Sequence, residues 1–181
     1  MDSRRSNSIR ALTSSKTQHW CTPLHLSKAI LEVLGEIDLD PCSNKYSLIP
    51  ALTYWFEENG EQTFSLRWSF AKTIYCNPPF SPALLQDKFV MKCIKEKKGK
   101  EILILLPVRT GTGRWQQQVF KKYDAICYFK GRVNFDLQGI KTKSSTVQTC
   151  MVYLGNRPKR FKKIFSKFGY TELKNKNKPI V

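Results

Sequence analysis

The run Glu101-Ile102-Leu103-Ile104-Leu105-Leu106, closed by Pro107, leaves few folds open to this chain. A half-exposed strand alternates apolar and polar residues, whereas this stretch is continuously aliphatic. It therefore reads as a strand covered on both faces, the kind found in sheets sandwiched between helices. It falls far short of the ~20 apolar residues that cross a bilayer. Its neighbours agree. Further strands are predicted over Ile37 to Leu39, Thr73 to Cys76, Ala125 to Phe129 and Val147 to Leu154. Between them, Thr22 and Pro23 read as an N-cap and first helical position, and Leu26, Ile30, Val33 and Leu34 recur at helical spacing until Gly35. Ser81-Pro82 opens a lysine-rich helix to about Lys98, closed by Gly99, and another helix is predicted from Arg114 to Lys122. Strands alternating with helices predict an α/β fold with an open, mostly parallel sheet and helices on both faces.

The 181 residues suit one core, which typically serves ~100 to 200 residues. Residues 1–16, rich in Ser, Arg and Thr, read as a flexible basic arm. The domain is expected over 17–155, with 156–181 a basic extension packed on it or flanking it. Lys and Arg total 31 against 14 Asp and Glu, a net charge of +17 that favours a polyanionic partner, nucleic acid first and an anionic membrane surface second. The charges are segregated. Glu32 to Glu61 holds seven acids (Glu57 and Glu58 among them) and one base, whereas Asn156 to Val181 holds nine bases and one acid. The stretch Lys159 to Lys167, with Phe161, Ile164 and Phe168 at helix-like spacing, predicts an amphipathic helix packed on the domain rather than a membrane anchor. Six scattered cysteines without a Cys-x-x-Cys pair, and only His19 and His25, predict no metal site. The polar amino terminus, Met1 to Ser6, leads into no apolar core of a signal peptide, so reduced cysteines and a cytoplasmic location are expected.

Ligands of open α/β sheets sit outside the carboxyl ends of the strands. Asp40-Pro41-Cys42-Ser43 and Asn77-Pro78-Pro79-Phe80 both follow predicted strands, so they are expected on one edge as one site. Proline fixes φ, lacks an N–H and pushes its predecessor out of the α region, so Asn77 and Pro78 are held extended with carbonyl groups that no local turn recruits. The Asn77 side-chain oxygen and the Pro78 carbonyl can then converge on an exocyclic amine, which carries two hydrogens. Gripping both favours the pyramidal nitrogen whose lone pair points at an electrophile and stabilises the charge that develops as it attacks. Phe80 offers a face on which an extruded base stacks.

The tetrapeptide resembles the Asp/Asn/Ser-Pro-Pro-Tyr/Phe/Trp motif of amino-methyltransferases, and the chain resembles the phage-type DNA N6-adenine methyltransferase (Dam) family. The resemblance is carried by His19-Trp20-Cys21-Thr22-Pro23, Asp38-Leu39-Asp40-Pro41-Cys42-Ser43, Cys76-Asn77-Pro78-Pro79-Phe80-Ser81, Leu106-Pro107-Val108-Arg109-Thr110-Gly111-Thr112 and Gly131-Arg132-Val133-Asn134-Phe135. It implies a Rossmann-like fold, S-adenosylmethionine as cofactor, DNA as partner and adenine N6 as target, in a host cytoplasm if the chain is phage-encoded. It also implies Trp20, Thr22 and Pro23 in the cofactor pocket, Asp40, Pro41 and Cys42 in the loop after the first strand, Asn77 contacting the cofactor as well, and Asn77, Pro78, Pro79 and Phe80 in catalysis. Many methyltransferases carry a glycine-rich turn after the first strand; Ser43-Asn44-Lys45-Tyr46-Ser47 has no glycine. S-adenosylmethionine carries a sulfonium cation and ribose hydroxyls, both suited to a carboxylate such as Asp40.

Arg109, Thr110, Thr112 and Arg114 follow the buried strand and so share the edge of Asn77, where a phosphate or flanking base is expected to pass. Arg132, with Lys141 and Lys143, forms a second expected DNA clamp. The same two acceptors suit cytosine N4 or an RNA base, and a noncatalytic nucleic-acid-binding protein on this fold is the rival from another class. Oligomeric state has no signature in the sequence.

Overall fold

The aliphatic run is the central strand of a seven-stranded sheet. The structure, a computed structural model, describes residues 20–56, 60–137, 140–141 and 147–175. The arm over 1–16, His19, Glu57, Glu58 and Lys143 lie outside the described residues. In chain order the elements are β1 (Trp20–Cys21), α1 (Leu24–Leu34), β2 (Ile37–Ser43), β3 (Ala51–Phe56), α2 (Gly60–Ser65), β4 (Thr73–Cys76), α3 (Ala83–Glu96) and β5 (Glu101–Pro107). There follow α4, a π-helical stretch Trp115–Val119 running into Phe120–Lys122, then β6 (Ala125–Phe129), β7 (Asp136–Leu137), β8 (Ile140–Lys141), β9 (Thr149–Leu154), α5 (Pro158–Phe165) and β10 (Gly169–Leu173).

The sheet order is β10-β6-β9-β5-β4-β2-β3. Strands β3, β2, β4 and β5 run parallel, while β9 is antiparallel to both β5 and β6, and β10 is antiparallel to β6. The expected mostly parallel sheet is therefore mixed. The reason lies between β6 and β9. A parallel pair needs a crossover, usually a helix, and residues 130–148 supply none among those described, only the short β7 and β8 pair, with β7 also bonded to β1. The chain turns at the edge where β6 ended and comes back antiparallel.

Alternate residues of β5 divide the core as the continuous run requires. Leu103 and Leu105 face α1 and α5, whose Ile30, Val33, Phe161 and Phe165 complete one cluster. Ile102, Ile104 and Leu106 face α3 and α4, with Phe89, Val90, Cys93 and Trp115. Helices thus cover both faces. Gly35 ends α1 with φ of 87°, a left-handed value that glycine adopts without a Cβ penalty.

Three differences from the sequence reading matter for the site. Strand β2 does not stop at Leu39 but runs through Asp40, Pro41 and Cys42, with an irregular register between Asp40 and Ser43; a bulge tolerates a proline that cannot donate to the ladder. Pro23 sits at the N-cap of α1, one position earlier than predicted. The C-terminal helix packs on the domain as its spacing predicts, with Phe161, Ile164 and Phe165 of α5 buried, but the described residues after it add an unforeseen strand, β10, at an edge of the sheet.

Candidate active site

Because β2, β4, β5 and β6 all point the same way, their carboxyl ends share one edge. The two tetrapeptides meet there, the first as the last four residues of β2 and the second directly after β4. The Cys42 and Cys76 sulfurs lie 3.4 Å apart. Asn77-Pro78-Pro79-Phe80 leaves β4 with Pro78 buried and Asn77, Pro79 and Phe80 half-buried. Phe80 meets the edge of Phe135 at 5.8 Å between ring centroids, and Phe135 meets Trp20 at 6.5 Å. Trp20, expected in the site from the resemblance, is thus joined to the Asn77–Phe80 loop through an aromatic side chain to which the sequence reading gave no role. Phe135 reaches this position because the β7–β1 pairing ties its segment to Trp20 and Cys21.

Thr22 and Pro23 are buried, and the Thr22 hydroxyl shares a 2.6 Å hydrogen bond with the Tyr75 phenol. Burial pushes the Tyr75 hydroxyl and the Cys76 thiol well above their ordinary values, so both are neutral. Asn44 accepts from the Cys21 thiol at 3.4 Å and from the Tyr46 backbone N–H at 2.9 Å. A side chain folded back on its own loop does what a glycine turn does elsewhere: it holds the chain after β2 in shape.

Asp40 is 3 % exposed. Its Oδ1 accepts the Cys42 backbone N–H at 3.1 Å, and burial raises its pKa to about 7 despite that bond and the Ser43 hydroxyl. A carboxyl group poised there is half protonated near neutrality. It can serve a hydroxyl as acceptor, or ionise if a cation comes near. Asp38, by contrast, turns to the opposite edge, where its Oδ2 accepts the N–H groups of Lys72 at 2.6 Å and Thr73 at 3.0 Å; its pKa is lowered, burial opposing and these bonds prevailing.

The loop after β5 divides the proposed DNA residues. Thr110 and Thr112 are exposed and Arg109 half-exposed at the site edge. Arg114 is not available to a phosphate. It is buried, donating to Gln86 at 2.5 Å and to the Ala83 carbonyl at 3.0 Å, and it pairs with Asp87. The cause is packing: α4 lies against α3, and the guanidinium caught between them directs its two terminal nitrogens to Gln86 and Ala83. Gln86, fully buried, also donates to the Pro79 carbonyl at 3.4 Å. An Arg114–Gln86–Pro79 chain therefore braces the Asn77-Pro78-Pro79-Phe80 loop from behind. A lone Gln in a lysine-rich helix gave no sequence signal for it. Arg132 is exposed after β6 and Lys141 lies in β8. Gln148 gathers this edge by donating to the carbonyls of Phe129 at 2.5 Å and Gly131 at 2.8 Å.

No group of three or more His, Cys, Asp or Glu is arranged to hold a metal among the described residues, and no described helix is long and apolar enough to cross a membrane. A comparison with protein-family models matches the one described as DNA N-6-adenine-methyltransferase (Dam) over residues 10–179, nearly the whole chain. No curated protein matches it.

Proposed function

The chain belongs to the DNA N-6-adenine-methyltransferase (Dam) family, and on that premise we propose that it transfers a methyl group from S-adenosylmethionine to the N6 amine of adenine in DNA, on a Rossmann-like methyltransferase fold. The observation that carries this reading is the meeting of Asn77-Pro78-Pro79-Phe80 with the end of β2 and the Trp20–Phe135 aromatic pair at one strand edge.

The residues present fit the cofactor. Asp40 is a desolvated carboxyl with no cation among the causes of its shift, so it is suited to a sulfonium or to ribose hydroxyls. Trp20, Thr22, Pro23, Pro41 and Cys42 would line its pocket, with Asn77 reaching both it and the base. When bound, S-adenosylmethionine supplies an electrophilic methyl group. The protein's own part is to extrude the adenine, stack it on Phe80 and hold its amine between the Asn77 side-chain oxygen and the Pro78 carbonyl. As the nitrogen attacks, its N–H groups become more acidic, and these two acceptors bind them more strongly than in the ground state. No covalent enzyme intermediate is needed. Arg109, Thr110, Thr112, Arg132, Lys141 and Lys143 are the proposed contacts to the DNA backbone.

The deciding experiment incubates the protein with labelled S-adenosylmethionine and a mixture of duplex DNA, single-stranded DNA and RNA, then digests to nucleosides. Label in N6-methyladenine from DNA is expected. Label in N4-methylcytosine or in RNA would move the target, and absence of label from every nucleic acid would leave a binding protein.

A further inference from the structure

The sequence marks Asn156 to Val181 as basic without saying what the charge is for. We infer that the surface formed by His25, Lys28, Lys130, Arg132, Lys163 and Lys167 is a track for the sugar-phosphate backbone of DNA, laid beside the catalytic loop by α5 and β10. The inference rests on the proposed function only for naming DNA as the polyanion.

Three segments distant in sequence converge to make this surface, and Phe168 is their hub. The Lys130 backbone N–H donates to the Phe168 carbonyl at 2.8 Å. The His25 ring lies 6.1 Å from the Phe168 ring, and the Lys167 ammonium 5.2 Å from its centre. Lys28 follows His25 by one helical turn, so both stand on one face of α1. Lys163 precedes Lys167 by about one turn near the end of α5. All six side chains are exposed. Since β6 points toward the active edge and Phe168 is bonded just beyond its end, the whole group belongs to that edge.

The local composition sets the surface apart more than the ion pairs do. At the opposite edge two cations are matched, Lys97 lying 3.5 Å from Asp124 at the start of β6 and Arg157 3.4 Å from Glu101 at the start of β5, while Lys98 and Lys159 are exposed and in no ion pair among the described residues. At the active edge, none of the five Lys and Arg residues is in an ion pair among the described residues. No Asp or Glu occurs from Ala125 to Phe135 or from Asn156 to Tyr170. Unneutralised like charges repel, and a polyanion turns that repulsion into attraction. The surface is also continuous with the site, because the segment that begins at Lys130 and Arg132 ends at Phe135, the ring against Phe80. A membrane is the poorer partner. Binding in a lipid interface needs an apolar face to insert, and Phe161, Ile164 and Phe165 are already buried in the core.

The test compares two double variants of the full chain that remove the same charge at different places. Lys163→Gln/Lys167→Gln alters the proposed track, while Lys98→Gln/Lys159→Gln alters exposed lysines toward the other edge. Affinity for a fluorescent duplex of about three helical turns is measured across a salt series, with methyl transfer followed in parallel. The slope of log affinity against log salt is expected to flatten by nearly two in the track variant, at ~0.9 per phosphate contact, with affinity falling about tenfold or more at low salt. The control is expected to change little. Equal flattening in both would reduce the effect to net charge and overturn the track, as would an unchanged slope in the track variant. Loss of binding to phosphatidylserine vesicles with duplex binding intact would overturn it in favour of a membrane. If the parent methylates no nucleic acid yet the slopes still differ, the track stands and the enzymatic reading falls. If methyl transfer to DNA is intact while the slopes agree, the reverse holds.

Discussion

The parallel half of the sheet (β3, β2, β4, β5) and the antiparallel half (β9, β6, β10) are both covered by helices, yet they treat polar groups differently. Around the strand ends of the parallel half lie buried Thr22, Asp40, Ser43, Gln86 and Arg114. In the antiparallel half the buried residues are nearly all apolar, and the charge is carried outside as exposed lysines and arginines. Burying a polar group costs stability unless it is bonded, so a fold collects such groups where they do chemistry or hold something that does. On the proposed function, the parallel half does the chemistry at short range, and the antiparallel half supplies rigid support and long-range attraction.

The comparison breaks if the supporting half turns out to take part in chemistry. Phe161 is fully buried, stacked between Tyr153 at 5.3 Å and Phe165 at 4.6 Å. Phe161→Ala is expected to lower stability by ~3 to 5 kcal/mol, as large aromatic truncations do. Turnover per folded molecule at low temperature should be unchanged. A turnover defect that persists after correction for the folded fraction would erase the distinction.

Asp40 provides the reciprocal case, a polar residue whose burial costs stability. Its folded pKa of about 7 lies above the ordinary 3.8. Between those values the unfolded chain has lost the proton while the folded chain keeps it. Stability attributable to this group is therefore present below about pH 4, declines as pH rises toward 7, and is flat beyond. Asp40→Asn keeps an oxygen for the Cys42 N–H and removes the titration. It should be more stable than the parent at pH 8 by an amount on the order of 4 kcal/mol, at 1.36 kcal/mol per pKa unit, while its advantage shrinks toward pH 5. Urea unfolding at the two pH values decides; parallel curves would mean that Asp40 is not desolvated as described.

How much of this the sequence disclosed follows the same division. The central strand, the strands Thr73–Cys76 and Ala125–Phe129 and the helix after Pro82 were legible because continuous or periodic apolar residues and prolines mark them directly. The convergence of both tetrapeptides followed from the rule of strand ends. What stayed hidden depended on partners far along the chain. Strand β3 alternates half-buried and exposed residues at a sheet edge, with Leu52 and Tyr54 outward, so no polar-out, apolar-in pattern marks it. Strand β10 exists because β6 offers it a ladder. Gln86 and Tyr75 acquire their roles only through Pro79 and Thr22. Arg114 hides for the same reason: its position after β5 points to solvent, and only the packing of α3 on α4 fixes it inside.

At the active edge itself, Asn77→Ala should reduce methyl transfer by about two to three orders of magnitude, the ~2.7 to 4 kcal/mol typical of one lost transition-state hydrogen-bond partner, with cofactor and DNA affinity nearly retained. Equal activity in variant and parent would remove Asn77 from the chemistry. Phe80 should come next. Stacking needs a π face rather than a particular ring and is worth ~1 to 3 kcal/mol per base, so Phe80→Ala is expected to lower activity and extrusion of a fluorescent base analogue while Phe80→Trp preserves both. If the two behaved alike, the contact of Phe80 with Phe135 would be its whole role.

The smallest effect sharpens the comparison most, because it separates two arginines in one loop. Arg109 is half-exposed at the edge, and Arg114 is buried between helices with both terminal nitrogens bonded to α3. Arg109→Ala removes a charge that solvent and phosphate can reach. It should flatten the salt dependence of DNA binding by about 0.9 and leave the unfolding midpoint nearly unchanged. Arg114→Met removes a charge that phosphate cannot reach but leaves Gln86 and Asp87 without their partner. It should lower stability by ~1 to 3 kcal/mol, the cost of stranding a buried hydrogen-bonding group, with the salt slope intact. Any fall in its activity should appear in kcat, through slack in the Gln86 contact with Pro79, rather than in DNA affinity. Were both variants to flatten the slope equally, Arg114 would have to swing out of its helix contacts when DNA binds, and the loop after β5 would be a moving part rather than a fixed one.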